Sequence, residues 1–271
     1  MKVCHCGATT MRATFQEDVD ACAAAGLRGL EVWATKLEVH LRDNDALSIL
    51  DDLAKKSVSL VAASYQGGLL LSQGEQRREH FDHFRKRLEL CERLAIPTLN
   101  VAADFTMQVE GRDIERAIVS LRQAAQWASG FGVTLALEFR GGDSFCTNLA
   151  TASAFVESAA EDNVGICLDV FHYHKGPSKF HDLQQLPKSR IKFVQLSDVA
   201  GVSREWMRDS DRILPGDGEF QLLPILQQLH DADYDGWISA ELLNSTIWQA
   251  PSVHVTELAA ASIKRLLDQL Q

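Results

Sequence analysis

Eight short β-rich runs recur along the chain, and each is followed by a longer segment in which apolar residues recur every three or four positions. This alternation is typical of strand–helix units on a parallel sheet. Eight such units in 271 residues predict a closed (β/α)8 TIM barrel, with residues 1–271 forming a single domain. The predicted strands are 2–6, 29–33, 58–64, 98–103, 133–139, 164–170, 191–197 and 237–243.

The segment 113–132 illustrates the helical pattern between strands. Gly130 or Gly132 is predicted to end the helix. The apolar stripe consists of Ile114, Ile118, Leu121, Ala125 and Ala128.

Polar side chains follow the last four predicted strands near their carboxyl ends. Side chains alternate between the two faces of a strand, so each strand divides into an apolar and a more polar face. The polar faces of strands five to eight carry Glu138, Asp169, Gln195 and Glu241 in turn. Barrel active sites lie at the carboxyl ends of the strands. We therefore expect these four side chains to meet at the mouth of the barrel.

Three carboxylates in a mouth of low dielectric constant repel one another unless protons or a cation balance them. Carboxylate and amide oxygens form a hard donor set that suits Mn²⁺ or Mg²⁺, with Co²⁺ or Zn²⁺ as alternatives. In this interpretation Glu138, Asp169, Gln195 and Glu241 bind one divalent ion. The alternative is a set of internal salt bridges to arginines and lysines of the barrel.

Charge and hydropathy restrict the partners of the chain. Lys and Arg number 27 and Asp and Glu 37, so the net charge of −10 disfavours nucleic-acid binding. No run reaches the roughly 18 apolar residues of a membrane span. The six cysteines are scattered without C-x-x-C spacing and are interpreted as reduced core thiols. A cytoplasmic protein with a small-molecule substrate is expected, and the sequence leaves a homo-oligomer open.

Four motifs carry a resemblance to a known family. They are "LALEFR" after strand five, "LDVFHYH" after strand six, "ISAELL" in strand eight and "DRILPGDGEF" after strand seven. The set is similar to the xylose isomerase-like TIM barrels, the sugar phosphate isomerases and epimerases. Two further stretches, "MKVCHCGATT" and "NVGICLDVFHYH", look most like the inosose (2-keto-myo-inositol) isomerase branch.

One position departs from most isomerases of that family. They place a histidine ligand in strand seven, where this chain has Gln195 within "FVQ". Glutamine there is similar to the 3-dehydroshikimate dehydratase branch. The resemblance therefore implies a metal-dependent isomerase or epimerase of a polyhydroxy ketone, with a dehydratase of 3-dehydroshikimate or inosose type as the alternative. A ligand-binding barrel without catalysis is the third hypothesis.

The resemblance also implies roles for individual residues. In an isomerase Glu138 and Glu241 are the base and acid that move a proton next to a carbonyl, and His172 is an acid/base partner or binds a hydroxyl. In a dehydratase His172 is the base. Arg212 resembles a substrate-contacting arginine, with a loop-bracing salt bridge as the alternative. Glu31 either binds a substrate hydroxyl or forms a buried ion pair.

Overall fold

The computed structural model describes residues 1–271 and contains eight parallel strands in a closed barrel, hydrogen-bonded in the order β1 to β8. The predicted fold class is confirmed. The strands are β1 (Lys2–Cys6), β2 (Gly29–Trp33), β3 (Ser59–Gln66), β4 (Thr98–Ala102), β5 (Thr134–Glu138), β6 (Val164–Asp169), β7 (Ile191–Leu196) and β8 (Trp237–Ala240).

Ten helices connect the strands, and at least one follows each strand. They are α1 (Phe15–Ala24), α2 (Ala34–His40), α3 (Ala46–Lys55), α4 (Gly74–Arg93), α5 (Gly111–Gly130), α6 (Leu149–Ala159), α7 (Val170–Lys175), α8 (Phe180–Gln185), α9 (Leu222–Asp231) and α10 (Ser252–Leu267). No helix is both long enough and apolar enough to cross a lipid bilayer.

The strands begin where the sequence predicts, each within one residue. The largest difference at a strand end is in β8, which stops at Ala240 instead of residue 243. One ladder bond continues past this point, because the Glu241 amide donates to the Leu196 carbonyl at 2.9 Å. Glu241 therefore still lies at the carboxyl end of its strand.

The chain divides into two compact units, Met1–Ser64 with Val194–Gln271, and Tyr65–Phe193. We call them the terminal unit and the central unit. The prediction of a single domain over 1–271 stays a prediction.

The terminal unit holds β1, β2 and β8 against helices α1 and α10. Helix α1 begins at a capping box, in which the Thr14 hydroxyl accepts from the Glu17 amide and the Glu17 carboxylate accepts from the Thr14 amide at 2.7 Å. These two bonds satisfy amides that a helix start leaves without partners. The box therefore stabilises the start of α1.

The central unit holds β4, β5 and β6 with helices α4 to α8. Helix α5 ends at Gly130, as predicted. Leu121, Ala125 and Ala128 of the predicted apolar stripe are buried. Ile114 and Ile118, the first two residues of the stripe, are half-buried. The predicted stripe is therefore confirmed over the second half of the helix, and its first turns are less covered.

Candidate active site

Two carboxylates and an imidazole come together in the central unit. Glu138 is the last residue of β5, Asp169 is the last residue of β6, and His172 lies in α7 directly after β6. All three are buried, with exposed fractions of 6%, 0% and 3%. We call Glu138, Asp169 and His172 the carboxylate–histidine cluster.

The imidazole of His172 lies between the two carboxylates. Its Nε2 is 3.3 Å from Glu138 Oε1 and 3.7 Å from Asp169 Oδ2, and one ligand atom from each residue lies within 4.8 Å of the others. The Nδ1 atom of His172 is buried without a hydrogen-bond partner. Two predicted metal ligands, Glu138 and Asp169, therefore lie next to His172, which the family resemblance assigns to acid–base chemistry.

Asp169 has a second contact that explains where His172 is placed. Its Oδ1 accepts from the Phe171 amide at 2.8 Å and caps the first turn of α7. An aspartate at this position stabilises a helix start, because it accepts from an amide that has no partner within the helix. One oxygen therefore begins the helix that carries His172, while the other faces the imidazole.

The segment after β5 packs directly against the end of α7. A methyl group on Gly141 would lie 2.5 Å from the Gly176 nitrogen, and one on Gly176 would clash with the Thr147 carbonyl oxygen. Neither position has room for a side chain. Asp143 lies in this segment, and burial raises the pKa of its carboxyl group, which the charges of Arg140 and His172 partly oppose. The sequence analysis did not single out Asp143.

A second polar cluster lies in the terminal unit around Gln195 of β7. Its amide Nε2 donates to Glu31 Oε1 at 2.7 Å and to Glu241 Oε1 at 3.1 Å. Gln195 and Glu31 are fully buried and Glu241 is 4% exposed. We call Glu31, Gln195 and Glu241 the amide–carboxylate cluster.

Glu31 is surrounded by hydroxyl groups. Its Oε2 accepts from Ser239 at 2.6 Å, and its Oε1 accepts a short hydrogen bond from Ser64. Burial raises the pKa of the Glu31 carboxyl, and the hydrogen bonds from the two serines oppose that rise. The Cys6 thiol also lies here. Burial raises the pKa of this thiol, and the negative charge of Glu31 raises it further. The prediction that Glu31 binds a substrate hydroxyl stays a prediction.

Arg212 joins the amide–carboxylate cluster through Glu241. Its Nη1 is 3.0 Å from Glu241 Oε2 and its Nη2 is 2.8 Å from Asp209 Oδ1. The guanidinium is fully buried although it belongs to the loop after β7. The predicted salt bridge therefore exists, and it joins this loop to a predicted catalytic glutamate. The predicted contact of Arg212 with a substrate stays a prediction.

Asp198 organises the loop that carries Arg212. Its carboxylate accepts from the amides of Val199, Gly216 and Phe220 at 2.9 to 3.0 Å. A methyl group on Gly218 would lie 2.3 Å from Asp198 Oδ1, so the loop closes around this carboxylate only with glycine there. The "PGDGEF" stretch is thus folded around one buried aspartate.

The donor chemistry of both clusters fits a divalent cation. Each of them offers two buried carboxylates, which a hard cation prefers over nitrogen or sulfur donors. Of the four predicted ligands, Glu138 and Asp169 belong to the central unit, and Gln195 and Glu241 belong to the terminal unit. The four-ligand set stays a prediction.

Three buried residues that lie against the amide–carboxylate cluster were absent from the predicted site. They are Cys6, Ser64 and Ser239. For Ser239 a signal existed, because it lies two residues before Glu241 on the same face of β8. For the others, short polar residues within apolar runs are common in barrels and give no pattern by themselves.

The fold is a closed barrel of parallel strands, with acidic side chains at the carboxyl ends of β5 and β6. Residues 19–269 match the model of the xylose isomerase-like TIM barrel, and the chain belongs to this family. The predicted family resemblance is confirmed.

Individual relatives include members of both branches that the sequence resembles. An inosose isomerase of Halalkalibacterium halodurans is 26% identical over 254 residues, covering 92% of this chain and 90% of the relative. A 3-dehydroshikimate dehydratase of Pseudomonas aeruginosa is 26% identical over 257 residues, covering 90% of this chain and 38% of the relative. A crystal structure described as the IolI protein with a bound zinc atom has a TM-score of 0.94 at 22% identity, covering 100% of this chain and 99% of that one.

Proposed function

We propose that this protein is a divalent-metal-dependent isomerase or epimerase that moves a proton next to the carbonyl of a sugar, keto-polyol or inosose. The observation that carries the proposal is the carboxylate–histidine cluster, where His172 Nε2 lies 3.3 Å from Glu138 and 3.7 Å from Asp169 in a buried site. Acid–base catalysis next to a carbonyl needs such groups within reach of one another. Family membership and the inosose isomerase relatives support the same chemistry.

The residues proposed to hold the ion are Glu138, Asp169, Gln195 and Glu241, which supply three carboxylates and one amide oxygen. A bound Mn²⁺ or Mg²⁺ would polarise the substrate carbonyl and balance negative charge that develops on its oxygen. Zn²⁺ and Co²⁺ are the alternatives, and a zinc atom is bound in one related structure. The carboxylate donors favour the harder ions.

The proton-transfer and substrate-binding steps are assigned to individual side chains. One glutamate of the pair Glu138 and Glu241 takes the proton from the carbon next to the carbonyl, and the pair returns a proton to the neighbouring carbon. His172 donates or accepts a proton at a substrate oxygen through Nε2. Arg212 holds Glu241 in place through the 3.0 Å ion pair and binds a substrate oxygen. Burial of all four groups keeps water away from the exchanging proton.

Dehydration is the second candidate function, and Gln195 is the observation that favours it. A glutamine in strand seven is shared with the dehydratase branch by resemblance, and dehydratases of two Pseudomonas species are among the relatives. In that reaction His172 takes the proton next to the carbonyl and delivers it to the β-hydroxyl, which leaves as water. Both reactions begin with the same proton abstraction, so the cluster geometry suits either.

Product analysis separates the two reactions. The protein is incubated with inosose or 3-dehydroshikimate and with Mn²⁺, Mg²⁺, Co²⁺ or Zn²⁺ in turn, and the products are read by NMR in D2O. We expect an isomer of inosose with deuterium at a single carbon, and no turnover by a Glu138→Gln control. Loss of water from 3-dehydroshikimate would establish the dehydratase. Binding without turnover under every metal would establish a ligand-binding barrel.

A further inference from the structure

Glu31 lies where it decides how Gln195 is oriented. The two hydrogens of the Gln195 amide are donated to Glu31 Oε1 at 2.7 Å and to Glu241 Oε1 at 3.1 Å. If the amide were rotated by 180°, its oxygen would face two carboxylate oxygens, and both contacts would join acceptors. The carboxylates therefore select one of the two amide orientations.

Glu31 is itself held firmly. Ser64 of β3 donates to Glu31 Oε1, and Ser239 of β8 donates to Glu31 Oε2. Strand β3 pairs with β2, the strand that carries Glu31. The register between β2 and β3 is irregular at this point, since Leu30 pairs with Leu60 while Glu31 pairs with Ala62. Such irregularities redirect a side chain relative to its strand. Glu31 is thus a fixed acceptor, buried at 0% exposure, against which the amide of Gln195 is aligned.

We propose that Glu31 is a positioning residue, which holds the Gln195 amide with its nitrogen toward the two glutamates and its oxygen turned to the metal. The inference rests on the proposed function, because it takes Gln195 as a metal ligand. A ligand is commonly oriented by a neighbouring carboxylate that accepts from its other polar atom. Here Glu31 orients an amide in the way that such carboxylates orient a histidine ligand.

The test compares Mn²⁺ affinity by calorimetry in the wild type, Glu31→Gln, Glu31→Leu, Gln195→Leu and the double variant Glu31→Leu/Gln195→Leu. Glu31→Gln keeps an acceptor oxygen for Gln195 and a group that bonds Ser239, so its affinity stays within about threefold of wild type. Glu31→Leu keeps the volume but removes the acceptor, and its affinity falls on the order of tenfold. The double variant Glu31→Leu/Gln195→Leu binds Mn²⁺ with the same affinity as Gln195→Leu alone.

A second measurement reads the amide directly and needs no metal. In protein labelled with ¹⁵N-glutamine, the Gln195 side-chain resonances are identified by their loss in Gln195→Leu. We expect slow hydrogen exchange for this amide in the wild type and in Glu31→Gln, and fast exchange in Ser64→Ala/Ser239→Ala, where Glu31 loses its supports. This pair of serine substitutions also covers the case in which Glu31→Leu fails to fold.

The outcomes separate the inference from the proposed function. If Gln195→Leu binds Mn²⁺ as tightly as wild type, the ligand assignment is wrong and the inference falls with it. If Gln195→Leu weakens binding but Glu31→Leu does not, the ligand assignment stands and the role of Glu31 is overturned. An equal loss from Glu31→Leu in both backgrounds would show a purely structural effect and would also overturn it.

Discussion

At the scale of single residues, Gln195 is a neutral side chain among carboxylates. It contacts Glu31 and Glu241 through the amide nitrogen. The amide oxygen, which is the proposed donor to the ion, has no proton to lose, whereas a histidine must be deprotonated before it can bind an ion. In the proposed site, the residue in strand seven therefore determines how metal binding depends on pH.

Gln195→His is predicted to introduce a loss of metal binding in acid. The two carboxylates next to position 195 stabilise a protonated imidazole, so the loss occurs as the pH falls through about 6.5, the ordinary histidine value, or somewhat above it. Imidazole also raises Zn²⁺ and Co²⁺ affinity relative to Mn²⁺. Calorimetric titrations at pH 6 and pH 8 check this, with wild type as the control. Equal pH dependence in the two proteins would contradict the prediction.

His172→Gln is predicted to lower kcat by a factor on the order of 10² to 10⁴, as expected for an acid–base group. Glutamine keeps a polar nitrogen near Glu138 and Asp169 but cannot exchange a proton at neutral pH. Steady-state kinetics with saturating metal measure the effect, and circular dichroism confirms the fold. A rate near that of wild type would assign His172 a structural role.

At the scale of elements, the loop after β7 depends on one side chain. Asp198 accepts three backbone amides of the loop, and the loop in turn carries Arg212 to Glu241. Hydrogen bonds to a charged acceptor contribute more than neutral ones. Asp198 therefore supports the loop that carries Arg212.

Asp198→Ala is predicted to lower the free energy of unfolding by about 2 to 5 kcal/mol, because three amides lose a charged acceptor. It should also lower kcat/KM, since Arg212 loses its fixed position. The matched control is Asp217→Ala in the same loop, whose exposed bridge to Arg265 contributes at most about 1 kcal/mol. Urea unfolding and steady-state kinetics measure both effects. Similar losses in the two variants would disprove the special role of Asp198.

The elements themselves were largely predictable from the sequence, and their contacts were not. β1 and β2 match the predicted bounds because alternation and flanking turns mark short strands clearly. The bond between Glu31 and Gln195 joins residues 164 positions apart. No local pattern encodes which hydroxyls and amides meet across that distance. The sequence therefore singles out Glu138, Asp169 and Glu241 as candidates, whereas the hydrogen bonds from Ser64 and Ser239 to Glu31 are seen only in the structure.

At the scale of the whole molecule, the six cysteines are all free and buried, as the prediction of reduced core thiols implies. Burial raises the pKa of Cys22, Cys91 and Cys146 to about 12, from an ordinary thiol value of 9.0. In the unfolded chain these thiols ionise near pH 9, whereas in the folded protein they stay protonated. Alkali therefore favours the unfolded state, and stability is lost as the pH rises from 9 toward 12.

Cys91 provides a test of this coupling. Between pH 8 and pH 10, one such thiol lowers the free energy of unfolding by about 1.4 kcal/mol. Between pH 8 and pH 10, the free energy of unfolding of Cys91→Ala should therefore fall by about 1.4 kcal/mol less than that of wild type. This difference does not depend on how much the substitution destabilises the protein at pH 8. Urea denaturation at both pH values measures the difference, and parallel losses in both proteins would refute it.

Asp169 illustrates a consequence for how such barrels diversify. One of its oxygens begins α7 and the other faces His172, so Asp169→Ala removes the helix cap and one neighbour of the imidazole together. Asparagine also caps helices, so Asp169→Asn keeps the helix start and removes only the negative charge beside His172. A lineage or a designed library can therefore change the charge at this position without losing α7, as long as the new side chain still accepts from the Phe171 amide.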